Sequence, residues 1–434
     1  MRSACGGVSL YTETCERRKA LQLNENILKL EQNYLFAEIA LRVRHYREAH
    51  PAAEVLSLGI NDVTRPLAPA VSEAMAAAAR DMRSEARFHG YGDVQGEPFL
   101  RQAIADYYSS FHVGIGAEDV FVSDGAKSDL ANLCDLFAPE STVLLPNPVY
   151  PVFYDTSVMA GRNIRFARGT KENGFLPMPP AGDSGAHADI IYLCSPNNPT
   201  GAVYSRAQLR QWVEYARAQN ACIIYDAAYE AYIRSAALPR SIFEIAGAET
   251  CAVEINSFSK MAGFTGVRCS WVIVPRTLTQ DGQSLHKLWM RRQSTKYNGT
   301  SYIVQRGAAA ALSAEGQRQV RRDVQYYMEN ADIIRNALHR SGVFTTGGEH
   351  APYVWMECPY HMDSWRCFGL LLNHFGIVTS PGVGFGAQGE GWLRLSSFGS
   401  RDMIEQAAHK LSAMDWDQLA LWAPDSLHAH NTQK

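Results

Sequence analysis

The chain of 434 residues has no Cys-x-x-Cys pair; its nine cysteines are scattered and odd in number. That excludes a disulfide framework and a Cys-rich zinc site, no metal is expected, and the pattern fits a reducing compartment. No run approaches the roughly 18 apolar residues of a membrane span. Residues 1–20 contain no continuous apolar stretch, so no secretory signal is expected and the expected location is the cytoplasm. Neither sign of charge dominates: 41 Lys and Arg face 44 Asp and Glu, a net charge of −3. Such a balance offers no electrostatic footprint for nucleic acid or another polyanion. Internal repeats and low-complexity linkers are also lacking. What remains is a chain that is 46% hydrophobic, with length for two or three domains around a sizeable core.

The middle of the chain alternates apolar runs with helical periodicity. Strands are expected at 142–146, 189–195, 221–226, 253–257 and 271–275, with another running from 120 to the glycine at 125. After Gly125 a helix is expected from Ala126, its stripe formed by Leu130, Leu133, Cys134 and Phe137. A second helix is marked by Ser205 as N-cap and by Leu209, Trp212, Val213 and Ala216 on one face. Strands alternating with helices imply an α/β fold: a mainly parallel sheet flanked by helices on both faces. The last third predicts a smaller α+β unit. It comprises a strand at 351–358, a helix at 365–375, two short strands around 382–391 and a helix at 401–414. Residues 1–22 and those after about 415 carry no motif, although Trp416 and Trp422 are large enough to pack.

Several short motifs occur in one order. Asn198 lies in Cys194-Ser195-Pro196-Asn197-Asn198-Pro199-Thr200-Gly201, and Asp226 and Tyr229 lie in Tyr225-Asp226-Ala227-Ala228-Tyr229. Lys260 follows in Ser257-Phe258-Ser259-Lys260, Arg268 stands eight positions on, and Arg394 sits in Trp392-Leu393-Arg394-Leu395-Ser396. Taken singly, each has a bland explanation: Asp226 as a turn residue after a strand, Tyr150 as a loop aromatic beside prolines, Arg394 as a surface charge. Together they require coincidence several times over. A lysine behind a small-polar strand end, with an arginine close downstream, suits pyridoxal phosphate: the amine forms a Schiff base with the aldehyde and the guanidinium pairs with the phosphate. A helix starting at Ala126 would aim its first amides at the same phosphate.

This arrangement resembles the aspartate-aminotransferase-like enzymes, known as fold type I, over about residues 34 to 411. The resemblance implies a large domain with a mainly parallel sheet and a smaller α+β domain, with pyridoxal 5′-phosphate bound between them. Residues 1–62 would form an N-terminal arm and part of the small domain, 63–299 the large cofactor-binding domain, and 300–434 the C-terminal small domain. Asp226 would keep the pyridine nitrogen protonated, which improves the ring as an electron sink. Tyr229 and Asn198 would bond the ring's phenolic oxygen, and Tyr150 would stack on the ring. The phosphate would lie among the backbone of Ala126 and Lys127, the hydroxyls of Ser257 and Ser259, and Arg268. Arg394 would clamp the substrate α-carboxylate beside Asn198 in a fork that lysine cannot reproduce. Lys260 would act as the general base at Cα.

Longer motifs narrow the resemblance. Asn33-Tyr34-Leu35-Phe36, Gly90-Tyr91-Gly92, the 123–129 run, Lys296-Tyr297-Asn298-Gly299, Gly348-Glu349-His350-Ala351-Pro352-Tyr353 and Pro381-Gly382-Val383-Gly384-Phe385-Gly386 are similar to LL-diaminopimelate aminotransferase. That family transfers an amino group from glutamate to tetrahydrodipicolinate, for lysine and cell-wall synthesis, and works as a homodimer. The resemblance implies that Tyr91 reaches the neighbouring subunit's phosphate, that Asn298 reaches its substrate, and that Tyr34 and Lys127 line the substrate end. Two departures bear on the substrate. Val94 stands where the family places a glutamate that helps recognise the distal end, although Asp93 next to it could supply a carboxylate. Asn61 stands where a glycine lets backbone approach substrate. The alternative is a relative acting on another amino acid in specialised metabolism, as an aminotransferase or as a cyclase, lyase or oxidase using the same carbanion. A transcription regulator with an aminotransferase-like sensor is disfavoured, because about 30 residues before Tyr34 are too few for a winged helix.

Overall fold

The computed structural model describes residues 23–30, 35–59, 62–180 and 187–417. Tyr34, Asn61 and Trp422 lie outside the described residues. The chain builds around a seven-stranded sheet. Its strands are β1 (Val120–Ser123), β2 (Thr142–Asn147), β3 (Asn163–Arg168), β4 (Ile190–Cys194), β5 (Cys222–Asp226), β6 (Ala252–Ser257) and β7 (Ser270–Ile273). The spatial order is β1-β7-β6-β5-β4-β2-β3. Strands β2 to β6 run parallel with their neighbours in that group, and β7 is antiparallel to both β1 and β6. The largely apolar runs of β4 and β5, and β6 with its polar Glu254 and Asn256, are buried at every position, as strands covered by helices on both faces must be. The edge strand β3 is mostly exposed.

The crossover helices follow the sequence pattern. Ser205 caps Arg206–Gln219 by accepting from the amide of Gln208, and Leu209, Trp212, Val213 and Ala216 are its buried residues. Behind β6, Glu254 is fully buried and accepts from the hydroxyls of Tyr108 at 2.5 Å and Ser241 at 2.6 Å. This ties the helix Pro98–Ser109 to the strand that leads into Lys260.

A second, antiparallel sheet is made of β8 (Thr345–Gly347), β9 (Tyr353–Glu357), β10 (Ser380–Pro381) and β11 (Trp392–Ser396), in the order β8-β9-β11-β10. Leu35, Ile39 and Tyr46 of the helix Leu35–Ala49 pack into one core with Phe368 and Leu371 of Ser364–Phe375 and Ile404 of Arg401–Ser412. Leu56–Ser57 pairs in parallel with Ile377–Val378, so residues 35–58 and the last third share a core. The long helix Ala314–Arg340 serves two cores: Val320, Val324 and Tyr327 pack with the large sheet's flank, while Ala331, Ile334 and Leu338 pack with the small sheet. Trp416 is buried in the small-sheet core.

The two short strands expected around 382–391 do not form. Gly382–Phe385 and Ala387–Gly389 are single turns of 3-10 helix, and strand pairing falls instead on the flanking β10 and β11. The glycines explain the difference. A Cβ on Gly382 would collide with the carbonyl of Gly389, and Gly386 has φ +119°. Backbones this close, in a region only glycine visits easily, make a folded turn and not a ladder. Among the described residues, no helix is long and apolar enough to cross a membrane.

Candidate active site

The C-terminal ends of the parallel strands converge on a cavity of about 400 Å³, where ligands bind in open α/β sheets. Each strand delivers a residue. Beyond β1 comes Gly125 and the helix Ala126–Leu133; beyond β2 comes Tyr150; beyond β4 comes Asn198. Strand β5 ends on Asp226, and β6 ends on Ser257 before the short helix Phe258–Ala262 that carries Lys260. Ala126, Lys127, Tyr150, Asn198, Asp226, Tyr229, Ser257, Ser259, Lys260 and Arg268 all line the cavity. Strand β7 runs antiparallel, so its start lies at this same edge and places Arg268 beside β1.

The phosphate-sized corner is built tightly. Gly125 has φ +148°, and a Cβ there would collide with the guanidinium of Arg268. The helix bonds begin with Ser128 and Asp129 donating to Gly125 O, so the amide of Ala126, ahead of them, has no acceptor within the helix. Ser257 Oγ accepts the amide of Ser259 at 3.1 Å, and Arg268 donates to Ser259 Oγ at 3.4 Å. Hydroxyls, a helix N-terminus and a guanidinium thus meet at one spot, which is a set of donors for a dianion.

At the other end, Asp226 is only 6% exposed and accepts from the amide of Ala228 at 3.0 Å. Burial raises its pKa to about 6, and that one hydrogen bond is what opposes the shift. A cationic ring nitrogen is the partner such a carboxylate fits. Burial lowers Lys260 to about 8; the charge of Asp62 opposes this, and Arg394 and Arg268 add to it. Tyr232 donates to the carbonyl of Lys260 at 2.7 Å, which fixes the backbone under the amine.

Arg394 is 0% exposed. It does not line the cavity itself but stands behind Asn198, donating to Asn198 Oδ1 at 2.8 Å and to Ser380 Oγ at 3.3 Å, while its Nε has no partner among the described residues. With its oxygen committed to Arg394, the amide of Asn198 turns its NH2 donors toward the cavity side. Tyr353, Phe385 and Phe36 enclose the guanidinium at 4.6, 4.9 and 5.6 Å. Lys127 lies 5.9 Å over the ring of Tyr150.

Two further residues were expected to serve the neighbouring subunit. Tyr91, 87% exposed, and Asn298, also exposed, stand outside this cavity. Asp93 is engaged within its own chain: one oxygen accepts the amide of Gln95 at 2.9 Å and the other faces Arg101 at 3.2 Å. It closes a turn. Sequence reasoning missed Asp62, Thr265, Leu130 and Ala228 in the lining, and also Tyr353 and Tyr232 behind it. Asp62 adjoins Asn61, already singled out in the sequence, and could have been found there; the two tyrosines give no local signal.

The profile of class I and II aminotransferases matches residues 53–411. The chain belongs to that family. This aminotransferase is 48% identical over 407 residues to the LL-diaminopimelate aminotransferase of Prochlorococcus marinus strain MIT 9303, covering 91% of this chain and 100% of that one. It is also 48% identical over 404 residues to the enzyme of the same name from Lawsonia intracellularis, with 89% and 98% covered. Among solved structures, the L,L-diaminopimelate aminotransferase of Chlamydomonas reinhardtii superposes with a TM-score of 0.85 at 41% identity, covering 91% of this chain and 98% of that one. The family depends on pyridoxal phosphate, and the donors, buried carboxylate and lysine of this aminotransferase's cavity fit that group.

Proposed function

We propose that this aminotransferase holds pyridoxal 5′-phosphate on Lys260 and moves an α-amino group between LL-diaminopimelate and 2-oxoglutarate, with glutamate as donor in the synthetic direction. The reading is carried by one observation. A lysine with its pKa near 8, a buried carboxylate lacking a cation and a phosphate-sized donor cluster share one cavity, in a chain 48% identical to enzymes of that name. When bound, the cofactor supplies an electron sink for the negative charge that develops at the substrate's Cα.

The chain's own residues supply the rest. Ala126 N–H, Ser257, Ser259 and Arg268 anchor the phosphate, with the backbone of Lys127 beside them. Asp226 holds the ring nitrogen in its cationic form. Tyr229 and the NH2 of Asn198 donate to the ring oxygen, and Tyr150 covers the ring. Arg394, kept in place through Asn198, takes the α-carboxylate and so aligns the Cα–H bond. Lys260 Nζ, neutral above about pH 8, would take the substrate's Cα proton as general base and hold it for return to the cofactor side of the substrate nitrogen. The catalytic unit is a homodimer in which the exposed Tyr91 and Asn298 complete the neighbour's site, with Tyr34, Asn61 and Lys127 at the substrate end. Among the described residues, those up to 59 contribute an N-terminal arm and part of the small domain, 63–299 the large cofactor-binding domain, and 300–417 the C-terminal small domain.

A second reading has support of its own. Val94 is apolar and Asp93 is paired with Arg101, so the position where the family carries its glutamate offers no carboxylate to a distal ammonium. The same machinery then serves another amino acid. Steady-state formation of glutamate from 2-oxoglutarate with LL-diaminopimelate as donor decides between the two. Turnover at rates typical of enzymes, about 1 per second or faster, supports the first; turnover with other donors only supports the second.

A further inference from the structure

Tyr353 lies on β9 of the small sheet, is 0% exposed, and touches both halves of the site. Its hydroxyl is 2.7 Å from that of Tyr229, which follows β5 of the large sheet. Its ring carries the Arg394 guanidinium at 4.6 Å, the distance of a cation–π contact. The backbone beneath it is fixed. A Cβ on Gly201 would fall 2.5 Å from the Tyr353 carbonyl, which therefore presses on the loop after Asn198. One side chain thus meets the donor to the cofactor's ring oxygen and the clamp for the substrate's carboxylate, groups that come from different sheets.

We propose that Tyr353 is a positioning residue for amino transfer: its hydroxyl donates to Tyr229 and its ring seats Arg394. The inference rests on the cofactor assignment above. The direction of the hydrogen bond follows from proton count. Tyr229 has one hydroxyl proton, and if that proton goes to the cofactor's ring oxygen, the Tyr229–Tyr353 bond must use the proton of Tyr353. Acidity agrees. Burial raises both phenols, but the neighbouring Arg394 charge opposes the rise at Tyr353 and holds it at about 12, while Tyr229 is pushed higher. The more acidic partner donates. A donation into Tyr229 makes Tyr229 a stronger donor to the ring oxygen, and this lowers the pH at which the lysine-bound cofactor loses its proton.

The test is a pH titration of the visible absorbance of the cofactor-loaded protein, run beside steady-state kinetics with glutamate. Tyr353→Phe keeps the ring under Arg394 and removes only the donor. Its midpoint is expected to rise by roughly half to one pH unit, the size of one hydrogen bond, with KM for glutamate within about twofold of wild type. Tyr353→Leu also removes the ring, and KM is expected to rise about tenfold as the clamp loses its seat. A phenylalanine variant with an unchanged midpoint overturns the proposal, whether or not the leucine variant folds. A wild-type protein with no visible band would instead overturn the cofactor assignment, and the role of Tyr353 with it.

Discussion

At the scale of single residues, the chemistry turns on how the fold sets the charge of Lys260. The cavity wall removes water from the amine and lowers its pKa from 10.5 to about 8. Asp62 works against the shift, so the amine is held near a value useful at neutral pH and is not fully neutralised. A lowered lysine pKa means the nucleophilic, uncharged form appears at lower pH. Capture of added pyridoxal phosphate by the cofactor-free protein should therefore quicken about tenfold per pH unit below 8 and level off above it. Stopped-flow absorbance measures this, and levelling only above pH 10 would contradict the environment described. Lys260, Asp226 and Asn198 were legible in the sequence because each directly follows a buried apolar strand. Tyr353 was not. Its partner Tyr229 lies 124 positions away, and a tyrosine in a strand reads as core. The pairing of Asp93 was not legible for a related reason: its partner Arg101, eight residues on, lies on the helix Pro98–Ser109.

At the scale of elements, the phosphate corner depends on the join between β1 and the helix Ala126–Leu133. Gly125 allows the strand to turn into the helix while Arg268 crosses directly over its Cα. Gly125→Ala would push the guanidinium off the phosphate and strain a backbone that favours glycine. Affinity for pyridoxal phosphate should fall at least about tenfold, whereas pyridoxal, which has no phosphate, should lose little. Equilibrium titration of the cofactor-free variant with each compound checks the pair, and equal losses for both would contradict this role. Most strands were readable to within a residue or two, since a continuous Val/Ile/Leu run bounded by turn residues has few other interpretations. The 382–391 stretch was not. Its alternating glycine and apolar residues imitate a strand, and only the contact between Gly382 and Gly389 reveals the turn.

At the scale of the whole molecule, the two sheets meet through Arg394, Asn198 and Tyr353, which under the proposed function would address substrate carboxylate and cofactor ring from opposite sides of one cleft. The exposed Phe88 and Tyr91, next to His89 stacked on Tyr302 at 3.6 Å, form an aromatic loop directed away from the chain's own cavity. Such a loop suits a partner surface, in keeping with the proposed homodimer. The fold class was legible from strand–helix alternation. The sharing of one core by residues 35–58 and the last third was not a matter of periodicity; it depends on pairings such as Leu56 with Ile377. The substrate is the part of the account most exposed to Val94 and Asn61. A single-turnover absorbance experiment on the cofactor-loaded enzyme, with LL-diaminopimelate and glutamate in parallel, tests it most directly. The account predicts rapid loss of the lysine-bound cofactor's visible band with both amino acids, leaving pyridoxamine phosphate. Loss with glutamate alone would contradict the diaminopimelate assignment and leave the amino-transfer machinery standing.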